Sequence, residues 1–221
     1  GSCGSRGGMI PNAKLVLFQH NVDTFWQHTL ASFRDKGGTV ACETGCIHCC
    51  KVYATCSESE ADLLAAFICR EPERETALTA AVDGYLEALA AHRSAADYDD
   101  LPDDNDRISA HFAFDIRCPF LTADDTCAAY IVRPYGCRSH WAADTPDACA
   151  TATLVQKIQP TEESTDEFVD GLHEAGRAEQ YADYDDIGRT LSQTEAVGLI
   201  ADQVRLALDR RQAAGGRAST D

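Results

Sequence analysis

The chain has no apolar run approaching the roughly 20 residues that span a bilayer, so no membrane helix is predicted. It is poor in basic residues: 19 Lys and Arg stand against 36 Asp and Glu, for a formal charge of −17. Phosphate backbones repel such a chain, which argues against nucleic acid as a main partner. An acidic surface keeps a protein soluble; it also offers a docking face to a protein partner with a basic face. There is no Ser-His-Asp order and no His-Glu-x-x-His helix. Gly7-Gly8 and Gly37-Gly38 are too short to cradle phosphate and lack a flanking strand. Asp103, Asp104 and Asp106 lack the 12-residue calcium loop and its closing glutamate, and read as solvated acidic residues. The stretch Gly1-Ser2-Cys3-Gly4-Ser5-Arg6-Gly7-Gly8 has no apolar h-region. Residues 1–11 are expected to be a flexible leader, and the chain is expected to be cytoplasmic, where disulfides are rare.

Cysteine is what the chain has in plenty. Eight of its eleven cysteines fall in two stretches: Cys42-x3-Cys46-x2-Cys49-Cys50, and then Cys118, Cys127, Cys137 and Cys149. Closely spaced thiols in a reducing compartment are metal ligands more often than disulfides.

Between and around these stretches the pattern is helical. Asn12 reads as an N-cap, and Leu15, Phe18, Val22, Phe25, Trp26, Leu30 and Phe33 recur at helical spacing until Gly37-Gly38 stops the helix. Thr39–Thr55 reads as a loop or a frayed helix start. Ser57 and Glu60 form a capping box for a second helix running to about Arg70. A third helix is expected from Glu73 to His92, with Leu78, Val82, Tyr85, Leu86 and Leu89 on one face. Asp97–Asp106, which contains Pro102, is expected to be a loop or mobile linker. Between Asp115 and Cys149, prolines and Gly136 break regular structure, leaving room for a turn or two of helix over Thr126–Val132. Thr161–Ala178 reads as helical, with Phe168, Val169 and Leu172 apolar. Ser192 and Glu195 form another capping box. Val197, Leu199, Ile200, Val204, Leu206 and Leu208 then mark a C-terminal helix ended by Gly215-Gly216. Strands do not alternate with helices, so the expected fold is mainly α. It is a single metal-binding helical domain over residues 12–215, with a flexible tail at 216–221. Two irregular cysteine-rich segments are expected to converge on a metal centre.

Thiolates are soft, charged donors suited to zinc, iron–sulfur clusters and copper(I). A structural zinc site takes four ligands in a tetrahedron, and a cubane cluster also takes four thiolates. Cys42, Cys46 and Cys49 supply three ligands to either. Cys50 points away from its neighbour and either serves a second site or completes the first through a sharp bend. Cys118, Cys127, Cys137 and Cys149 are too widely spaced for a zinc knuckle and must be gathered by the fold. The set fits two four-thiolate sites, or one site plus structural thiols. Cys69 reads as a core residue, and Cys56 is open. Lys51, Arg117, Arg133 and Arg138 lie beside cysteines; four thiolates on zinc leave about two negative charges that such cations offset. Arg133 and Arg138 are the candidates for contact with a cofactor. His48 and His140 read as hydrogen-bonded neighbours rather than ligands.

Cys42-x3-Cys46-x2-Cys49-Cys50, Cys118-Pro119-Phe120-Leu121, Cys127-Ala-Ala-Tyr130 and Arg133-Pro134-x2-Cys137-Arg138 together resemble the zinc- or iron-chelating cysteine-cluster family, the YkgJ-like proteins. The motifs cover about a third of the chain, and Cys-Ala-Ala-Tyr departs from the family's usual Cys-x-Ile-Tyr. The resemblance implies a small bacterial protein that binds zinc or an iron–sulfur cluster. A related branch includes flagellin lysine N-methylases, which makes an iron–sulfur, S-adenosylmethionine-dependent protein-modifying enzyme one alternative. The spacing Cys42-x3-Cys46-x2-Cys49 also occurs in radical S-adenosylmethionine enzymes, but those use βα units absent here. A metal-free thiol–disulfide protein using Cys49-Cys50 or Cys46-x2-Cys49 is another alternative. The sequence names no substrate and leaves catalysis open.

Overall fold

The computed structural model describes residues 13–43, 45–51, 54–95, 98–101, 104–143, 145–150, 157–174 and 197–216. Among them the chain is mainly helical. No helix is long and apolar enough to cross a membrane. Asn12, the Ser192/Glu195 box, the residues at 1–11 and those at 217–221 lie outside the described residues.

Helix α1 (Ala13–Asp35) buries Leu15, Phe18, Val22, Trp26 and Leu30 at the expected spacing. It ends in a Schellman motif, in which the Gly37 N–H donates to the Arg34 carbonyl at 2.9 Å and the Gly38 N–H to the Phe33 carbonyl at 3.0 Å. Gly37 supplies the positive φ, 86°, that this turn requires. Gly38 leaves room for the Phe33 ring, which a Cβ there would meet at 2.3 Å.

Strand β1 (Thr55–Ser57) leads directly into α2 (Glu58–Ile68), whose Ser57/Glu60 capping box is formed in both directions. Helix α3 (Pro72–Ala95) starts on Pro72, whose missing N–H costs nothing at a first helical position. Its acidic first turn (Glu73, Glu75) and basic last turn (His92, Arg93) both complement the helix dipole. Next come a 3-10 turn (Tyr98–Asp100) and α4 (Asp104–Ala113). The acidic segment expected to be a loop is thus partly helical. Tyr98, 1% exposed, anchors it in the core, and acidic residues suit the start of α4.

Beyond the second cysteine segment, α7 (Glu162–Glu174) lays Phe168 against Phe25 of α1, ring centroids 5.2 Å apart. Residues 197–199 were expected to open the last helix. They form strand β2 (Val197–Leu199), antiparallel to β1 with Cys56 opposite Gly198. Pairing with an available strand edge outweighs the helical periodicity of so short a stretch. Helix α8 (Ile200–Gly216) then begins. Its Ile200, Val204, Ala207 and Leu208 join α2 and α3 in the main core with Phe120 and Ala129. A second core gathers α1, Leu63, Ala143 and Ile158. The cysteine segments lie against both cores.

Candidate metal centre

The first cysteine segment is held by a chain of backbone contacts. Val40 bridges Ala143, and Ala142 bridges Lys157. The Ala41 N–H donates to the Ala142 carbonyl at 2.9 Å. One residue on, the Ala142 N–H donates to Cys42 Sγ at 3.3 Å. Gly45, with φ 90°, turns the chain before a 3-10 turn (His48–Lys51) that carries Cys49 and Cys50.

The second segment begins as a tight hairpin. Leu121 bridges Cys127, and the Thr122 N–H donates to the Thr126 carbonyl at 2.8 Å. Asp115 and Asp125 both adopt left-handed backbone, φ 54° and 58°. Each is paired with a cation next to a cysteine: Lys51 reaches Asp115 at 2.7 Å, and Arg117 reaches Asp125 at 2.5 Å. Lys51 holds the Asp115 carboxyl below its usual range. These two cations therefore brace the loop around Cys118. A 3-10 turn (Tyr130–Val132) and the four-residue helix α5 (Tyr135–Arg138) complete the segment, and α6 (Asp147–Ala150) brings Cys149 to the turn that carries Cys49.

The two segments are tied to each other: the Cys118 N–H donates to the Cys50 carbonyl at 2.7 Å. The thiols fall into two groups by mutual influence. Cys149 feels Cys42, Cys46 and Cys49. Cys118 feels Cys137, Cys127 and Cys49, and Cys137 feels Cys49 and Cys127. Cys49, hydrogen-bonded to Cys50, belongs to both groups and is pushed up, first by that bond and then by burial. Burial pushes Cys118 up to about 12. Cys137 is exposed by surface area, yet desolvation by the protein around its thiol pushes it up to about 12 as well. As the side chains stand, no three Cys, His, Asp or Glu residues among those described are spaced to hold a metal ion.

Arg133 opposes that upward push. Its charge favours the thiolate at Cys49, Cys127 and Cys137, and its guanidinium lies 3.7 Å over the Tyr130 ring. Arg138 also favours the thiolate at Cys127. It is 2% exposed, and the protein engages it fully: Nε donates to the Arg133 carbonyl at 2.8 Å and Nη2 to the Ile131 carbonyl at 2.8 Å. Its Nη1 pairs with Asp23, which also takes Arg133 at 3.2 Å, and Gln19 accepts from Nη2 at 3.3 Å. Arg138 thus acts as a structural tie to α1.

Asp23, Gln19 and Glu60 were not singled out for this site. The available signal was a polar pair one turn apart on an otherwise apolar helix face. Glu60 was visible only as a helix cap. His140, half-buried, has its pKa lowered by burial and by Lys157. Cys56, 2% exposed, lies in the main core, and burial pushes its thiol up. Cys69 packs against that core. Neither a protein-family model, nor a curated protein, nor a solved structure matches the chain.

Proposed function

We propose that this chain binds zinc or an iron–sulfur cluster through its clustered cysteines, as its resemblance to the YkgJ-like proteins implies. The observation that carries the reading is the tie between the two segments, Cys118 N–H to Cys50 carbonyl at 2.7 Å, in a structure where Ala142 also donates to Cys42 Sγ at 3.3 Å. An N–H aimed at sulfur is the kind of contact that stabilises a ligating thiolate.

Thiolates are the donors that such a group takes. Cys42, Cys46 and Cys149 form one trio, and Cys118, Cys127 and Cys137 the other; the adjoining Cys49 and Cys50 supply a fourth ligand to each. The thiols of Cys42, Cys49, Cys118, Cys127, Cys137 and Cys149 are costly to ionise unaided, and a bound cation makes the thiolate state favourable. When bound, zinc would supply a structural anchor, and an iron–sulfur cluster would supply one-electron chemistry. Arg133 offsets the excess thiolate charge, and Arg138 with Asp23 holds Arg133 in place.

Metal and sulfide analysis with an absorption spectrum, on protein purified without oxygen or chelators, tests this. Iron with acid-labile sulfide and a broad band near roughly 400 nm supports the cluster. Colourless protein with stoichiometric zinc supports a structural or zinc-handling role. Protein with neither metal removes the proposal.

The hydrogen bond between Cys49 and Cys50 favours a second reading, in which these thiols cycle to a disulfide without metal. Stable metal retained by the purified protein counts against it.

A further inference from the structure

Glu60 is 4% exposed, and its carboxylate serves two backbones at once. Oε2 accepts the Ser57 N–H at 3.0 Å, closing the capping box of α2. Oε1 accepts the Tyr135 N–H at 2.6 Å. Tyr135 is the first residue of α5, and Cys137 is its third. Helix α5 packs on β1, where the space beside Gly136 opens on the Thr55 carbonyl, 3.6 Å from where a Cβ would stand. One buried carboxylate therefore sets the distance between the β1–α2 junction and the turn that carries Cys137.

We infer that Glu60 is a positioning residue for Cys137, and that a carboxylate is required because two acceptor oxygens are needed. The inference rests on the reading that Cys137 is a metal ligand. A four-residue helix cannot hold its own place: it closes at most a turn, and nucleation of an isolated turn is unfavourable. Its first N–H has no partner within the helix and takes one from outside. Glu60 supplies that partner at one end of α5, while Arg138, bonded to Asp23, Gln19 and two carbonyls, pins the other. Glutamine can keep only half of this arrangement. Its amide has one acceptor oxygen, and its NH2 group presents donors. A capping box accepts Gln at this position, so Glu60→Gln keeps the Ser57 bond and faces the Tyr135 N–H with another donor.

The experiment uses the full chain, reduced and metal-free, then titrated anaerobically with cobalt(II), whose thiolate charge-transfer absorption reports ligating sulfur. In Glu60→Gln, amide exchange at Tyr135 should accelerate about ten-fold while Ser57 stays protected. Cobalt affinity should fall about ten-fold or more, as for other residues that hold a ligand in place. Tyr135→Pro removes the same N–H and suits a first helical position. It should reproduce the cobalt defect, and Glu60→Gln should add nothing to it. It also stands in if Glu60→Gln does not fold. Wild-type exchange at Tyr135 with wild-type cobalt affinity in Glu60→Gln would overturn the inference, as would additive losses in the double variant. If wild-type protein takes up no cobalt, the ligand reading fails. Glu60 is then judged on Tyr135 exchange and on the alkylation rate of Cys137: faster in Glu60→Gln supports the positioning role, and no change overturns it.

Discussion

The backbone N–H of Cys118 donates to the carbonyl oxygen of Cys50 at 2.7 Å. That bond joins residues far apart in the chain and places the hairpin of the second segment against the turn of the first. It involves no thiol: the backbone itself ties the two cysteine segments to each other.

The division of the thiols into two groups has a direct consequence. On the proposed reading of two four-thiolate sites, Cys46→Ser and Cys137→Ser should each lower metal content by about half, because each would remove a ligand from a different site. Both should also lower the melting temperature, since binding free energy in such sites is folding free energy. Metal analysis and thermal unfolding of the two variants check this. Full metal content and unchanged melting in both would remove the ligand assignment.

Arg138 is 2% exposed and shares Asp23 with Arg133. Arg138→Met should destabilise the protein by about 3 kcal/mol or more, because it leaves buried carbonyls and the Asp23 carboxylate short of a donor. Urea unfolding measures the loss. Asp23→Asn should be destabilising in the same direction and non-additive with Arg138→Met, as expected for residues in one network.

Ser57→Ala should cost about 1 kcal/mol, the usual worth of an N-cap side chain. It keeps the Glu60 carboxylate and its bond to Tyr135, so metal affinity should stay near that of the wild type. Urea unfolding and a cobalt titration of one sample give both numbers. A large loss of metal would show that the whole α2 cap, rather than the Glu60–Tyr135 bond, governs the site.

His111 is buried, within 2.9 Å of the Tyr85 hydroxyl, and burial, aided by Arg93, pushes its pKa down to about 4. Because the folded value lies below the unfolded one, the unfolded chain binds the proton more readily. The stability contributed by neutral His111 is therefore complete above about pH 6.5 and is lost as pH falls toward 4. His111→Phe should flatten that part of the stability–pH curve. Urea midpoints at pH 7, 5.5 and 4.5 read the difference; parallel curves for the two proteins would reject the assignment.

Local signals were the ones that could be read in advance. The apolar spacing of α1, the capping box at Ser57 and Glu60, the Gly37-Gly38 stop and the buried face of α3 are all contained within a few turns of chain. Where a distant partner intervened, the reading changed. Residues 197–199 look helical by composition, but β1 offers them a strand edge. The segment 97–106 looks like an acidic loop, but the core accepts Tyr98 and so orders the start of α4. The same division holds at the site: the cysteine motifs are visible as spacing, whereas the grouping of Cys149 with Cys42 and Cys46 is not.

By itself, then, the sequence determined a helical chain with a concentrated set of thiols and arginines placed beside them. Helices and motifs depend on neighbours within a turn or two, and residue order encodes those directly. The tertiary structure decided the rest. It set which thiols share a neighbourhood, that Asp23 and Gln19 clamp Arg138, and that Glu60 serves two backbones at once. Each of these depends on buried polar groups finding partners across long sequence separations, and that matching is settled only when the cores close around them.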